Sequence, residues 1–363
     1  LFVDIRLFDF DLPAELIAQE PAARREDSRM LVVDRAKRTF QHCRFSDIVE
    51  LLPASMRIIR NNATVLKARL YGKRLNGAAM ECLLVQPADL ADTWWCMLRP
   101  GKKIQRDGSF LLPDGSIARV LDRDEEGHYR VAFELQQAIG IEQIIEQYGV
   151  MPLPPYIRRH RTDPRTVLDF ERYQTRYADP ARKVAAAAPT AGLHFSDAIL
   201  AQLCARGQRF YDCTLHVGFG TFKPIATNQV EAHHIHRERY EIEADTFSQL
   251  RVPSAGKRLA IGTTVVRTLE DAARRFDPST TGIELTGTLS AEADIYIYPP
   301  AEFLMIDALL TNFHLPRSTL LCLVSAFLSP GNNEGIDFLL DLYQQAIKER
   351  YRFFSYGDCM LIL

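Results

Sequence analysis

Between residues 63 and 135 the chain reads as a series of short β-type segments punctuated by turns, and this stretch limits the fold more than any other. Apolar, β-branched and aromatic residues cluster at 65–71, 80–85, 94–98, 110–112, 117–121 and 129–135. Asn76-Gly77, Asp107-Gly108, Pro113-Asp114-Gly115 and Glu126-Gly127 separate them. Many short strands at this spacing predict a small antiparallel barrel or sandwich. The alternative is a long irregular hairpin region within one domain.

The flanking segments have another texture. Before the β-rich stretch, strands are expected at 30–34, 39–43 and 56–60, with helices at 13–19 and 45–52. After it, a helix at 136–149 leads into Met151-Pro-Leu-Pro-Pro-Tyr156, whose prolines fix an extended, stiff segment. Helices are then expected at 198–205, 264–275, 319–327 and 338–350, with strands at 210–215, 240–243, 259–261 and 295–298. Such alternation predicts α/β layers. Residues 1–60 are too few to bury a core alone. The expected architecture is therefore a layered α/β main domain built from both chain ends, residues 1–62 and 150–363, with an antiparallel β-barrel domain inserted at 63–149.

Composition narrows the class. Hydrophobic residues make up 47% and charged residues 25%, enough apolar mass for a real core. No uncharged run of about 18 apolar residues occurs, so no membrane span is expected. The opening lacks the basic-then-apolar order of a signal peptide, so a cytoplasmic protein is expected. Seven scattered cysteines without a C-x-x-C pair read as reduced thiols. The net charge of −2 means that a nucleic-acid partner needs a local basic patch.

Two such patches exist. Lys67, Arg69, Lys73 and Arg74 fall on one hairpin with no acid between them. Residues 158–183 carry Arg158, Arg159, Arg161 and Arg176 among eight basic residues, against four acidic ones. Tyr156, Phe170, Tyr173 and Tyr177 are interleaved, which suits stacking on bases. The plain alternative is a solvated, salt-bridged surface.

Chemistry-bearing residues concentrate in the C-terminal part. Ala188-Pro-Thr-Ala-Gly-Leu-His-Phe195, Thr214-Leu-His-Val-Gly-Phe-Gly-Thr-Phe222, His233-His-Ile-His-Arg-Glu238, Gly262-Thr-Thr-Val-Val-Arg267, Thr311-Asn-Phe-His-Leu-Pro316 and Tyr351-Arg-Phe-Phe-Ser-Tyr-Gly-Asp358 mix histidine, threonine and glycine. Histidine titrates near neutrality and serves as acid or base. Each one alone is more simply a hydrogen-bonded core or capping residue. Several on connections between α/β elements point to a ligand site at strand ends. His233, His236 and Glu238 also admit a metal reading, but H-x-x-H aligns two rings poorly on a helix, and no metal is expected. Val217-Gly-Phe-Gly220 lacks the third glycine of a dinucleotide loop and reads as a tight turn.

In these motifs the sequence resembles the S-adenosylmethionine:tRNA ribosyltransferase-isomerase family of queuosine biosynthesis. Asp11-Leu-Pro-Ala-Glu-Leu-Ile-Ala18, Asn61-Asn62, Met151-Pro-Leu-Pro-Pro-Tyr-Ile157, Tyr173-Gln-Thr175, Asp307-Ala-Leu309 and Ser318-Thr-Leu320 join five of the six stretches above, all but His233–Glu238, in family order. Thr64, Ile235, Val265 and Pro300 depart from the family's usual residues, and the link at 182–187 is longer. The resemblance implies a monomeric enzyme with S-adenosylmethionine as a consumed ribosyl donor and no resident cofactor. Its partner is tRNA carrying 7-aminomethyl-7-deazaguanine at the wobble position. The products are epoxyqueuosine in tRNA, adenine and methionine.

Such a reaction needs positioned acid and base groups in a dry pocket. His194, His216 and His314 are the expected acid/base candidates. Glu238 and Asp358 are expected to orient a histidine or face the sulfonium. Thr190, Gly192, Thr263, Thr264 and Asn312 are expected in the donor pocket, and the eight basic residues named above on the tRNA face. A metal-dependent hydrolase and a non-catalytic RNA-binding protein are the rival readings.

Overall fold

The computed structural model describes residues 3–101, 104, 106–125, 127–136, 140–160, 162–218, 225, 227–252, 256–277 and 285–363. Nine strands, numbered along the chain, form a mixed sheet. Its order is β15 (Thr288–Ala293), β13 (Glu238–Glu243), β12 (Arg209–Leu215), β3 (Arg57–Asn61), β14 (Arg258–Ile261), β16 (Ala308–Asn312), β17 (Cys359–Ile362), β1 (Arg29–Asp34) and β2 (Thr39–Arg44). Both chain ends enter this sheet. The last strand, β17, runs parallel to β1, with Met30 opposite Cys359, and antiparallel to β16, with Asn312 opposite Cys359.

The strand period of two decides the layers. Leu31, Val33, Ile59, Ala260, Leu309 and Ile362 turn to one face, against Val266, Leu269, Val324, Phe327 and Leu339. These belong to α6 (Thr263–Arg275), α7 (Thr319–Leu328) and α8 (Gly335–Lys348). Met30, Val32, Ile58, Leu259, Leu310 and Leu361 turn to the other face. Ile48 of α1 (Ile48–Leu51), Phe195, and Ile199 and Leu203 of α4 (Asp197–Ala205) cover them. Each such side chain taken from water contributes about 1.5–3 kcal/mol. Edge strand β2, by contrast, is polar and almost wholly exposed, which blunts edge-to-edge pairing.

The β-rich stretch closes into a six-stranded antiparallel barrel: β10 (Tyr129–Glu134), β7 (Thr93–Arg99), β6 (Ala79–Pro87), β5 (Arg69–Arg74), β8 (Ser109–Leu111) and β9 (Ile117–Arg123). Its interior is a separate cluster containing Leu70, Cys82, Cys96, Phe110 and Val131. Ile141, Ile144 and Ile145 of α2 (Ile141–Tyr148) join it. Gly72 permits a close crossing of β5 and β8. A Cβ there would stand 2.2 Å from the Leu111 carbonyl oxygen. The fold class expected from sequence, a layered α/β unit with an inserted antiparallel barrel, is the one observed.

The barrel's entry and exit are tied to the main body. β4 (Thr64–Val65) pairs in parallel with β11 (Lys183–Ala185). Arg69 and Val150 exchange backbone hydrogen bonds of 3.3 and 3.0 Å, so the chain leaves the barrel beside the strand by which it entered.

Local expectations failed where tertiary pairing prevailed. The segment 295–298 is not a strand; the Tyr296 and Tyr298 rings meet edge to face with centroids 4.9 Å apart, and Pro299 and Pro300 supply no ladder donors. The edge strand is instead β15. The helix expected at 13–19 is only the 3₁₀ turn Ala14–Leu16, because Leu16 and Ala18 pair their backbones with Phe353. Helices α3 (Arg165–Arg172) and α5 (Ala244–Arg251) lay outside the expected elements.

Asp169 of α3 ties its helix to two other segments. It accepts from Arg159 Nε at 2.7 Å and from the Tyr356 hydroxyl at 2.8 Å, and its side chain is 1% exposed. Asp169→Ala leaves Arg159 without its counter-charge in a buried setting. The expected loss is about 3–5 kcal/mol, read as a lower urea midpoint at unchanged slope.

Candidate active site

Strands β14 and β16 end side by side, and their following residues meet in one cleft. From β14 come Gly262, Thr263 and Thr264; from β16 come Asn312 and His314. The cleft holds about 760 Å³, counted to its open mouth. Ligands settle at such carboxyl ends of strands in open α/β sheets. Gly262 has φ of 91°, a left-handed conformation that disfavours a side chain, and it caps α6 without a side-chain hydrogen bond. The first amides of α6 therefore face the cleft region with no side chain from the cap to accept from them.

Three further segments line the cleft: Thr190 from the 3₁₀ turn Thr190–His194, Tyr156 from the stretch after α2, and Ser355 from the stretch before β17. The Tyr156 hydroxyl and Ser355 Oγ lie 2.7 Å apart. Burial pushes the Tyr156 phenol up, so it keeps its proton. Neither residue was among the expected site residues, although both sit inside the motifs quoted above.

His314 lies on the cleft wall with Nε2 2.9 Å from Thr311 Oγ1, and its backbone N–H donates to the Tyr343 hydroxyl. Burial pulls its pKa down to about 3, so the ring is neutral at pH 7. His194 is 3% exposed and lines a neighbouring hollow with Arg25, Ser28 and Tyr356, behind the cleft. Burial lowers its pKa to about 4, although Asp358 and Asn312 favour the charged ring. Its Nε2 makes no hydrogen bond, and neither does Oδ1 of Asn312, whose Nδ2 donates to the Phe354 carbonyl.

The remaining expected residues are placed elsewhere. His216 follows β12, with Nε2 3.6 Å from Glu241, and burial lowers its pKa. Gly192 is buried against Tyr177; a Cβ would stand 2.0 Å from that hydroxyl. Asp358 accepts from the backbone N–H groups of Arg29 and Arg352 and from Arg352 Nη2, which shapes the turn into β17. Glu238 lines a second hollow with His233, His236 and Arg267, is ion-paired to Arg267, and accepts from the Gly218 N–H at 3.1 Å. Among the described residues, no group of three His, Cys, Asp or Glu side chains is arranged to hold a metal ion.

The expected tRNA-facing residues are largely engaged. Lys67 pairs with Glu146 at 2.8 Å, Arg69 with Glu81 at 3.1 Å, Arg159 with Asp169 and Arg176 with Asp197. Lys73 and Arg158 are exposed, Arg74 is half-buried on the barrel hairpin, and Arg161 lies outside the described residues. Arg69 and Arg159 line one groove of about 330 Å³ where the barrel meets the main sheet's unit.

The enclosed His194 makes stability pH-dependent. Its pKa is lower in the folded protein than the ordinary 6.5, so the unfolded chain binds a proton first as pH falls. Stability is full above pH 6.5 and declines towards pH 4. The expected loss from His194 between pH 6.5 and 5 is roughly 2 kcal/mol, and His314 acts in the same direction. Urea unfolding across this range is the check: His194→Gln gives a shallower dependence, and an unchanged slope refutes the assignment.

Comparison with known proteins agrees over the whole chain. A sequence profile of the family described as "Queuosine biosynthesis protein" matches residues 5–362. An S-adenosylmethionine:tRNA ribosyltransferase-isomerase of Thermotoga petrophila is 41% identical over 358 residues, covering 98% of both chains. Its counterpart in Trichlorobacter lovleyi is 40% identical over 361 residues, covering 99% of both. The crystal structure of S-adenosylmethionine tRNA ribosyltransferase from Thermotoga maritima superposes with a TM-score of 0.53 at 33% identity, covering 98% of this chain and 100% of that one. Matched by the profile over residues 5–362 and 41% identical to a relative over 98% of both chains, this chain belongs to the family of queuosine biosynthesis proteins.

Proposed function

We propose that the chain is an S-adenosylmethionine:tRNA ribosyltransferase-isomerase. It transfers and isomerises the ribosyl part of S-adenosylmethionine onto 7-aminomethyl-7-deazaguanine at the tRNA wobble position. The products are epoxyqueuosine-tRNA, adenine and methionine. The observation that carries this reading is the 41% identity, over 98% of both chains, to an enzyme so named. S-adenosylmethionine is consumed as a substrate and no resident cofactor is required. The reading includes a cytoplasmic monomer divided at residues 62/63 and 149/150. No helix among the described residues is long and apolar enough to cross a membrane.

The cleft meets the demands of that chemistry. The sulfonium acidifies the neighbouring ribose carbon, adenine must leave, and the attacking amine must be neutral. His314 is the acid/base candidate on the cleft wall. Its neutral ring, hydrogen-bonded to Thr311, is in the form that takes a proton, and it can pass that proton on once it has taken it. Thr190, Thr263, Thr264 and Asn312 hold the donor, and His194, in the neighbouring hollow, is a second acid/base candidate. Gly192 lets the wall approach Tyr177. Lys73 and Arg158, both exposed, offer basic charge to tRNA phosphates together with Arg74, a salt-sensitive attraction.

Incubating the protein with S-adenosylmethionine and tRNA bearing 7-aminomethyl-7-deazaguanine is the direct test. Adenine and methionine are expected in equal amounts, with a matching mass gain in the tRNA; no adenine would defeat the reading. His314→Ala is expected to slow adenine release by about 10²-fold or more. His216→Ala, outside the cleft wall, is expected to stay near the wild-type rate.

A further inference from the structure

The cleft and the hollow beside it differ in charge. Among the described residues, no Asp, Glu, Lys or Arg lines the cleft. Its polar groups are hydroxyls, the Asn312 amide and a neutral imidazole. The second hollow, about 520 Å³, is bounded instead by the buried Glu238–Arg267 pair and by His233 and His236. Thr263, Thr264 and Leu320 belong to both walls, so the two spaces adjoin across the first turn of α6.

Arg267 retains binding capacity. Nη1 pairs with Glu238, and Nη2 donates to the carbonyls of His236 and Ala293, both at 3.1 Å. Its Nε is buried and has no partner, and the residue is 7% exposed. The start of α6 adds partial positive charge on the same side. Glu238 meets Arg267 through one oxygen and the Gly218 N–H through the other.

S-adenosylmethionine has a matching asymmetry. Its adenosine is uncharged, its methionyl arm is a zwitterion, and the sulfonium joins them. Charges taken out of water need charged or hydrogen-bonding partners. A neutral cleft does not supply these for a carboxylate; the hollow with a spare guanidinium N–H does.

We propose that S-adenosylmethionine straddles the N-terminal turn of α6, with adenosine in the neutral cleft and the methionyl arm in the Glu238–Arg267 hollow. Arg267 then selects donors by their carboxylate, and the sulfonium sits at the Thr263–Thr264 divide. The proposal rests on the donor reading above and assigns the parts of the donor to the two spaces.

Calorimetric binding separates the possibilities. The probes are S-adenosylmethionine, its decarboxylated form, S-adenosylhomocysteine and 5′-methylthioadenosine, which lacks the amino-acid arm. Wild-type protein is expected to bind the decarboxylated form at least about tenfold more weakly than S-adenosylmethionine. Equal affinity overturns the proposal, and this comparison needs no variant. In Glu238→Gln/Arg267→Gln, S-adenosylhomocysteine is expected to lose about tenfold or more while 5′-methylthioadenosine is unchanged. Equal losses for both ligands, or none, overturn it, since the arm then lies elsewhere. Absence of binding by all four to the wild type would reject the donor reading itself.

Discussion

The placement of the final strand governs the rest of the molecule. β17 lies between β16 and β1, and its four residues are all buried. Its backbone must therefore find partners on both sides, since an orphaned buried amide costs as much as a lost hydrogen bond. That demand fixes the C-terminal segment against the N-terminal strand and the end of β16 together. Ser355 and Asn312 come to one cleft as a result. Asp358, buried beneath three donors from Arg29 and Arg352, holds the turn that feeds β17 into its slot.

The same logic explains the contrast between histidines. His314 follows β16 directly and so reaches the cleft. His194 ends a short turn whose first residue, Thr190, is on the wall and whose last is behind it. One turn of 3₁₀ helix is enough to put neighbouring motif residues on opposite sides of a partition. Shared motif membership therefore did not mean shared location.

Much of the fold was legible because period and punctuation agree with tertiary structure there. Barrel strands β5, β8, β9 and β10 alternate between buried and more exposed residues, most of the barrel's turns carry glycine, and α6 and α7 carry long apolar faces. The central strands β16 and β17 were less visible: Ala308–Asn312 and Cys359–Ile362 are short apolar runs without alternation, equally readable as helix ends. Site residues followed the same divide. Thr190, Thr263, Thr264, Asn312 and His314 were found through local motifs. Ser355 and Arg267 were not singled out, and Tyr156 was read as a base-stacking aromatic, because their importance comes from contacts between distant segments. The basic residues were recognised, but their pairing with Glu146, Glu81, Asp169 and Asp197 is a property of packing that charge counting does not contain.

The side-by-side exchange between Arg69 and Val150 gives the barrel an unusual standing. Seen from the sheet, some eighty residues amount to one oversized excursion whose two feet touch. The main fold therefore needs only the short distance between those feet to be kept. Evolution could reshape, enlarge or replace everything in between, and the nine-stranded sheet would register no change in its connectivity.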